Sequence, residues 1–244
     1  MNKRFLVLRR RAARARARLH LPLLWTAIVV VTALTATGVL LLGAQATASS
    51  SCSVERYEEM PQLGPETLPR EGPLGSELVG YDRTAGQDPT IFLANYYNAL
   101  TNTWTFPPNG GYKISPQLQA DGTKKDEPIM WEQVLQAGQY VDRYGAEKRG
   151  TFLAPEGLSF AARSLPPSSL NGDPAWSCNY HSYQVIKPFA VNAGPIAPGF
   201  GQPGGGLQFQ LNAALIAIPP VPNQTPADTL DVLWLVENGY LARA

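Results

Sequence analysis

Apolar residues are spaced differently in three parts of this chain. Leu21–Gly43 has no charged residue and is mostly apolar, whereas Ser53–Leu78 is rich in proline, glycine and glutamate. That composition predicts an extended arm. From Ile129 onward, short apolar runs alternate with tight turns, which is typical of β-strands. We therefore divide the chain into a leader, an arm segment and a β-rich domain, at residues 1–48, 49–128 and 129–244.

One helix is predicted inside the arm segment, over Thr90–Leu100. Asp88 is suited to cap its N-terminus, and Pro89 fits the first turn because a proline there loses no hydrogen bond. Its apolar positions would form one face, made by Phe92, Leu93, Tyr96, Tyr97 and Leu100. The polar run Pro116–Glu127 that follows predicts a boundary before the β-rich domain.

Two strands and a closing helix are predicted in the β-rich domain. The strands are Ser182–Val191 and Leu207–Leu211, where apolar positions alternate. Thr229–Asn238 predicts the helix, with Gly239 just after its C-terminus. The loop Gly194–Phe209 is rich in both glycine and proline, so its backbone can approach a ligand closely and still be stiff. Such a loop is a good place to hold a substrate.

The same loop contains a literal G-x-G-x-x-G at Gly199, Gly201 and Gly204. Pro203 interrupts it, and no acidic residue follows about 20 positions downstream, where a ribose would be held. The pattern is therefore not a dinucleotide-binding fingerprint. By composition alone the loop is a surface connection of a β-rich domain.

Charge separates the leader from the rest of the chain. Eight of the 20 basic residues lie within the first 20 positions, and no acidic residue precedes Glu55. The remaining 12 basic and 19 acidic residues give the rest a net charge of −7. A domain of that charge is a poor candidate for non-specific nucleic-acid binding, so we expect no nucleic-acid partner.

The leader has the organisation of a secretory signal peptide. An arginine-rich start precedes the apolar stretch, and Ala44-Gln45-Ala46 fits a small-x-small cleavage site. The alternative is an uncleaved membrane anchor, because about 20 apolar residues can span a bilayer. In both cases the basic flank stays inside and the domain lies outside the membrane. We expect a secreted protein.

The two cysteines, Cys52 and Cys178, both follow the leader. An even pair in an exported protein predicts one disulfide. We expect no metal site, because two thiols and the single histidine beyond the leader, His181, make a poor ligand set.

Two arginines stand in short motifs that suit phosphate chemistry. Arg143 belongs to Asp142-Arg143-Tyr144-Gly145, and Arg163 opens Arg163-Ser164-Leu165-Pro166-Pro167. The planar guanidinium matches phosphate oxygens. The alternative for each is a structural ion pair, for example between Arg143 and its neighbour Asp142. A serine hydrolase acting through His181 is discounted, because the chain has no G-x-S-x-G elbow.

Six short motifs occur in one order along the β-rich domain. They are Asp142-Arg143-Tyr144-Gly145, Gly150–Pro155, Arg163–Pro167, Tyr180–Val185 with Lys187-Pro188, Gly194–Gln208 and Asn238-Gly239-Tyr240-Leu241. Their order and spacing resemble the tuberculosis necrotizing toxin (TNT) domain family of NAD⁺ glycohydrolases, over about Ile129–Leu241. Pro61–Pro65 and Phe106–Gly110 also look like the segment that precedes this domain in secreted fungal-type members.

This resemblance implies hydrolysis of the nicotinamide–ribose bond of NAD⁺, which is substrate rather than cofactor, and is compatible with NADP⁺. It assigns catalysis to Gln208, Arg143 and Arg163. The arginines suit the diphosphate or the developing charge, and the glutamine amide suits the ribose hydroxyls or the attacking water. Other residues expected to bind the substrate are Tyr144 and Phe152, by stacking, together with His181, Lys187, Phe200 and Gln202.

The sequence departs from the family pattern in places. Gly199 stands where the family loop commonly has tryptophan. If that ring packs on the substrate in other members, its absence here would weaken substrate binding or widen the pocket. The acidic, calcium-binding tail of secreted fungal-type members has no counterpart, so we expect no calcium site. Two alternatives stay open: transfer of ADP-ribose to another acceptor, and a catalytically silent binding module.

We expect an α+β fold, with a small, strongly bent antiparallel β-core, few helices and an N-terminal arm. A toxin role would imply a separate immunity protein. The Pro-rich arm could also reach a second subunit, so a homodimer is a further expectation.

Overall fold

The computed structural model of the protein describes residues 50–172, 177–220 and 223–244. The predicted leader, at residues 1–48, lies outside these residues. Within the described ranges, no helix is both long and apolar enough to cross a membrane.

Eleven strands and five short α-helices form the described fold. The strands are β1 Tyr97–Asn98, β2 Thr103–Trp104, β3 Ile114–Leu118, β4 Lys124–Pro128, β5 Trp131–Leu135, β6 Tyr140–Tyr144, β7 Phe152–Pro155, β8 Tyr180–Val185, β9 Phe189–Pro195, β10 Leu207–Gln210 and β11 Leu241–Arg243. The helices are α1 Gly72–Glu77, α2 Pro89–Tyr96, α3 Phe160–Arg163, α4 Pro226–Thr229 and α5 Val232–Glu237.

Seven strands make one antiparallel sheet in the order β11-β8-β6-β7-β10-β9-β5. With its few helices, this sheet confirms the expected α+β class. The register places Arg143 opposite His181 and Gln208 opposite Gly194. The main core lies between the sheet and α5, where Tyr183, Val191 and Leu235 are fully buried.

The arm segment begins its main helix as predicted. The Asp88 carboxylate accepts hydrogen bonds from the backbone N–H groups of Thr90, at 2.8 Å, and Ile91, at 3.4 Å. The helix ends at Tyr96 rather than Leu100, because Tyr97 turns to extended dihedrals and pairs with Trp104 in β1–β2. The polar run predicted as a boundary forms the exposed hairpin β3–β4.

The prediction of one strand over Ser182–Val191 was wrong. The structure has the consecutive strands β8 and β9, with Ile186–Pro188 between them. Pro188 cannot donate a ladder hydrogen bond, which is why proline is confined to strand ends and edges. The β10 prediction is confirmed to within one residue, since the strand ends at Gln210.

The closing helix is divided into two. Thr225 caps α4 through a reciprocal capping box with Asp228, and Asp231 caps α5 by accepting from the Trp234 N–H at 2.8 Å. Leu230 between them is extended, so each short helix needs its own cap. Gly239 follows α5 with φ +69°, as its predicted place after the helix requires.

The arm docks on the domain through an aromatic cluster and a disulfide. Phe200, from the Gly/Pro-rich loop, is 1% exposed and packs with Leu63 and Phe92 of the arm. Burying a ring of this size contributes roughly 1.5–3 kcal/mol. Cys52 and Cys178 form the predicted disulfide, which joins the start of the described chain to the segment before β8.

Candidate functional site

A cavity of about 440 Å³ opens where residues 106–111 of the arm segment meet β6, β7 and β10. Its volume lies within the range of small-molecule sites. Five predicted site residues line it: Arg143, Tyr144, Phe152, Arg163 and Gln208. The structure therefore gathers all three predicted catalytic side chains at one place.

Gln208 lies on β10, between β7 and β9, and only 8% of it is exposed. Its Nε2 donates a hydrogen bond to the backbone carbonyl of Gly110 over 2.9 Å. Because this bond fixes the amide nitrogen, the remaining amide oxygen is an acceptor held in one orientation. Gly111 flanks that oxygen, since a β-carbon at this position would lie 3.8 Å from it.

Arg143 is held by two backbone carbonyls, one in the loop after β6 and one at the start of β7. Its Nε donates to Gly145 O at 3.0 Å and its Nη1 to Phe152 O at 2.7 Å. Burial lowers the pKa of Arg143 from its ordinary value, but an arginine so bonded stays charged. The α-carbon of Gly150 lies against the guanidinium, since a β-carbon there would come within 2.5 Å of Cζ.

The ion pair in this region joins Asp142 to Arg163, not to its sequence neighbour Arg143. Arg163 donates from Nη1 and Nη2 to the two Asp142 oxygens over 2.5 and 2.8 Å, and from Nε to Leu158 O over 2.9 Å. Adjacent residues on a strand point to opposite sides, so Asp142 and Arg143 contact different partners. The pairing suggested for Arg143 was therefore wrong.

Glu77, from the arm helix α1, completes a buried charge cluster. Its carboxylate accepts from Arg163 Nη2 at 3.1 Å and from the Tyr144 hydroxyl at 2.9 Å, while the Tyr180 hydroxyl donates to Asp142 at 3.0 Å. Two carboxylates thus share one arginine. Burial raises the pKa of Glu77, against the opposing charge of Arg163, and the nearby Asp142 carboxylate adds to the rise.

The two predicted stacking residues differ in how they line the cavity. Tyr144 is buried between Phe160 and Tyr180, with ring centroids 4.9 and 5.0 Å away, and its hydroxyl bonds Glu77. Phe152 is half-buried, and among the described residues no pair of aromatic rings encloses it as Phe160 and Tyr180 enclose Tyr144. Phe152 therefore has the freer ring face for a ligand.

Four predicted substrate-binding residues do not line the cavity. Phe200 lies in the aromatic cluster that fixes the arm, and the Gln202 amide donates to Asp82 O at 2.7 Å on the arm. Lys187 donates to Asn238 O at 2.9 Å, at the C-terminus of α5, and lies 5.3 Å from the Tyr240 ring. Each of these three side chains joins elements of the fold, and their binding of substrate stays a prediction.

His181 is the fourth predicted substrate-binding residue that does not line the cavity. It is buried on β8, where its Nδ1 is 3.9 Å from Glu147 and its ring stacks with Tyr183 at 6.4 Å. Glu147 in turn accepts from the Tyr183 hydroxyl at 2.9 Å and from Arg243 Nη2 at 2.5 Å. His181 thus belongs to the packing that attaches the last strand, and its contact with substrate stays a prediction.

Gly199, which departs from the family pattern, lies under Pro107. A β-carbon at Gly199 would come within 2.7 Å of the Pro107 ring and 3.6 Å of Ser164 Cβ. Pro107 lines the cavity, so it fills the space into which a side chain at 199 would extend. The substitution therefore leaves no opening at this point, contrary to the expectation of a wider pocket.

Several residues that line or support the cavity had no clear signal in the sequence. Phe106 and Gly110 come from the arm, and the resemblance marked their segment but not their contact with the cavity. Asp142 and Glu77 meet Arg163 only in the folded protein. Arg149 lines the cavity from the β6–β7 loop, and nothing in its local sequence distinguishes it from other surface arginines.

Among the described residues, no group of three histidine, cysteine, aspartate or glutamate side chains is placed to hold a metal ion. The expectations of no metal and no calcium stay predictions. The cavity instead offers an oriented amide acceptor, arginines and aromatic rings. Its lining carboxylate, Asp142, is fully occupied by Arg163, Tyr180 and Gly157. This set suits a phosphate-bearing ligand with a planar ring and a polar reacting centre.

A protein-family model described as tuberculosis necrotizing toxin matches residues 134–244. Among curated proteins, the chain is similar to the conidial surface nicotinamide adenine dinucleotide glycohydrolase nadA of Aspergillus fumigatus. The two are 39% identical over 186 residues, covering 75% of this chain and 68% of nadA. This match is longer than that of the family model, so the similarity extends into the arm segment.

Two solved structures also match. Tuberculosis necrotizing toxin, complexed with its immunity factor IFT, gives a TM-score of 0.42 at 19% identity, covering 66% of this chain and 76% of that one. Rhs1-CT, in complex with its cognate immunity protein RhsI1, gives a TM-score of 0.25 at 20% identity, covering 34% and 69%.

Proposed function

Because the chain belongs to the tuberculosis necrotizing toxin (TNT) family, we propose that it is an exported NAD⁺ glycohydrolase. Its relative nadA is named for that activity and for a surface location. The observation that best supports the proposal is the cavity in which Gln208 and Arg143 face the same space. NAD⁺ is the substrate, and NADP⁺ fits the same chemistry.

In the proposed reaction, water forms a bond to the ribose C1′ and the bond from C1′ to the nicotinamide nitrogen breaks. Nicotinamide leaves with the bonding electrons as a neutral base, so it needs no general acid. The water loses one proton, and the products are ADP-ribose and nicotinamide. The transition state resembles an oxocarbenium ion, as in other glycosidic cleavages.

Gln208 acts, in this proposal, on the ribose or on the attacking water. Its Nε2 is bonded to Gly110 O, so its oxygen can accept a hydrogen bond from a ribose hydroxyl or from water without rotating. The 98-residue separation of the two partners means that the arm helps to orient the catalytic side chain.

Arg143 and Arg163 receive different roles. Two donor groups of Arg143 are bonded to backbone carbonyls, and the guanidinium borders the cavity, so we assign it to the substrate. Arg163 also borders the cavity, but it donates to Leu158, Asp142 and Glu77. We therefore assign Arg163 as a positioning residue that holds β6 and α1, rather than as a diphosphate ligand.

The test is release of etheno-ADP-ribose from etheno-NAD⁺ by the purified protein, with products separated by chromatography. We expect Gln208→Ala to lose about 100-fold or more of kcat while remaining folded. The matched control is Gln184→Ala, because Gln184 is a half-buried strand glutamine that does not line the cavity. If the folded wild type, with its disulfide formed, does not hydrolyse NAD⁺, the proposal is contradicted and a silent binding module is favoured.

The same experiment separates hydrolysis from transfer. A transferase would consume NAD⁺ slowly in water and rapidly when an acceptor is added, and the acceptor would gain the mass of ADP-ribose. A hydrolase gives equal amounts of free ADP-ribose and nicotinamide in buffer alone. An immunity protein and a homodimer stay predictions, which co-purification and sedimentation would test.

A further inference from the structure

Arg149 lines the cavity in a different way from the other two arginines. Its side chain is exposed, and among the described residues its guanidinium has no hydrogen-bond or ion-pair partner. Arg143 and Arg163, in contrast, are bonded to protein acceptors. Arg149 is therefore the cavity-lining cation of the described chain whose donors remain available to a ligand.

The backbone that presents Arg149 is fixed. Its N–H donates to the Asp231 carboxylate at 2.8 Å, and the next carbonyl, of Gly150, accepts from the Val232 N–H at 2.8 Å. Arg149 has φ +63°, in the left-handed region that residues with a β-carbon rarely adopt. Such a conformation persists where surrounding contacts determine it, and it is often found at functional sites.

We infer that Arg149 binds a phosphate group of the dinucleotide, an inference that rests on the proposed function. The diphosphate of NAD⁺ carries two negative charges, and a guanidinium can meet phosphate oxygens with two parallel hydrogen bonds. A second source of the same chemistry is the 2′-phosphate of NADP⁺. Arg149 lies in the loop whose Gly145 carbonyl accepts from Arg143, and both arginines line the same cavity.

The test compares steady-state hydrolysis of NAD⁺ and NADP⁺ by three variants. Arg149→Asn removes the guanidinium and keeps a residue that tolerates positive φ, so the loop keeps its shape. Arg149→Lys retains the charge but loses the planar fork. Lys148→Asn is the matched control, because Lys148 is the exposed neighbour with the same charge and does not line the cavity.

We expect Arg149→Asn to raise KM about tenfold or more and to leave kcat within about twofold, since the phosphates are bound alike in the ground and transition states. An effect on both substrates identifies the diphosphate, and an effect on NADP⁺ alone identifies the 2′-phosphate. Arg149→Lys should fall between Arg149→Asn and the wild type. Unchanged KM for both substrates, or an equal rise in Lys148→Asn, would overturn the inference.

Calorimetric binding of ADP-ribose, which keeps the diphosphate, gives a readout that does not need turnover. If the wild type is inactive but binds ADP-ribose more tightly than Arg149→Asn does, the proposed hydrolase fails and the phosphate site stands. If the wild type hydrolyses NAD⁺ and both proteins bind ADP-ribose equally, the hydrolase stands and the diphosphate assignment fails. The KM values for NADP⁺ then decide whether Arg149 binds the 2′-phosphate instead.

Discussion

The side-chain amide of Gln208 donates to the backbone carbonyl of Gly110 over 2.9 Å, although the two residues are 98 positions apart. One belongs to the central sheet and the other to a turn of the arm. The contact fixes which end of the amide faces the cavity. The arm is therefore part of the site.

Gln208→Glu should make kcat depend on pH, because only a protonated carboxyl can replace the amide that donates to Gly110 O. At neutral pH the new carboxylate has no proton to donate to Gly110 O, and two oxygens would face each other at the distance of the lost bond. We expect kcat to fall about 100-fold at pH 7.5. Burial and the carbonyl both favour the protonated carboxyl, so activity should recover as the pH falls toward about 5.

The measurement is a pH–rate profile of both proteins. Gln184→Glu is the control, since it adds the same charge on a strand that is not at the cavity. An unchanged profile in Gln208→Glu would show that donation to Gly110 is not needed for catalysis.

Gly150→Ala should act on the site through Arg143. The added β-carbon would lie 2.5 Å from Cζ of Arg143 and 2.6 Å from Ala146 O, so the guanidinium must shift. Overpacking of this kind costs roughly 1–3 kcal/mol of stability. We expect kcat/KM for NAD⁺ to fall at least about tenfold, because small displacements at a reacting site are costly.

A double-mutant cycle with Arg143→Ala tests whether Gly150→Ala acts by displacing the Arg143 guanidinium. If Gly150→Ala works by moving the guanidinium, it should add little loss to Arg143→Ala. Gly122→Ala is the control for stability alone, because Gly122 has φ +81° in an exposed hairpin turn with open space around it. Independent, additive losses would contradict the explanation.

Asp142→Asn should be strongly destabilising. Asp142 is 0% exposed and makes the bidentate pair with Arg163, so the variant leaves a buried guanidinium without its main counter-charge. We expect a loss of about 3–5 kcal/mol in the free energy of unfolding, measured by urea titration. Asp126→Asn, on the exposed β3–β4 hairpin, makes the same charge change and should have little effect.

Glu77→Gln, unlike Asp142→Asn, should become more stable relative to the wild type as the pH rises. Burial raises the pKa of Glu77 above its unfolded value of 4.5, despite Arg163. The wild type therefore has the full contribution of the protonated carboxyl below pH 4.5 and loses it as the pH rises through the folded pKa. Glutamine keeps an acceptor and has no charge to bury, so the variant does not suffer this loss.

Unfolding by urea between pH 4 and pH 8 measures the difference. The stability of Glu77→Gln relative to the wild type should increase as the pH rises. The reverse trend would mean that Glu77 titrates as an ordinary partner of Arg163, with a lowered pKa.

Local sequence determined much of the secondary structure and part of the site. Asp88 and Pro89 begin α2 because a carboxylate and a proline satisfy a helix N-terminus wherever it occurs. Gly239 follows α5 because the chain needs a positive φ there. The even cysteine pair forms its disulfide, and the motifs containing Arg143 and Gln208 meet at one cavity. These features depend on a few neighbouring residues or on the family pattern.

Contacts between distant segments were decided only by the tertiary structure. Phe200, Gln202 and Lys187 stand in motifs beside the site, yet they join the arm or α5, because motif membership does not fix the direction of a side chain. Arg163 pairs with Asp142 and Glu77, 21 and 86 positions away, rather than being free for a phosphate. The partner of a buried charge is set by which strands and helices meet, and that arrangement is a property of the whole fold.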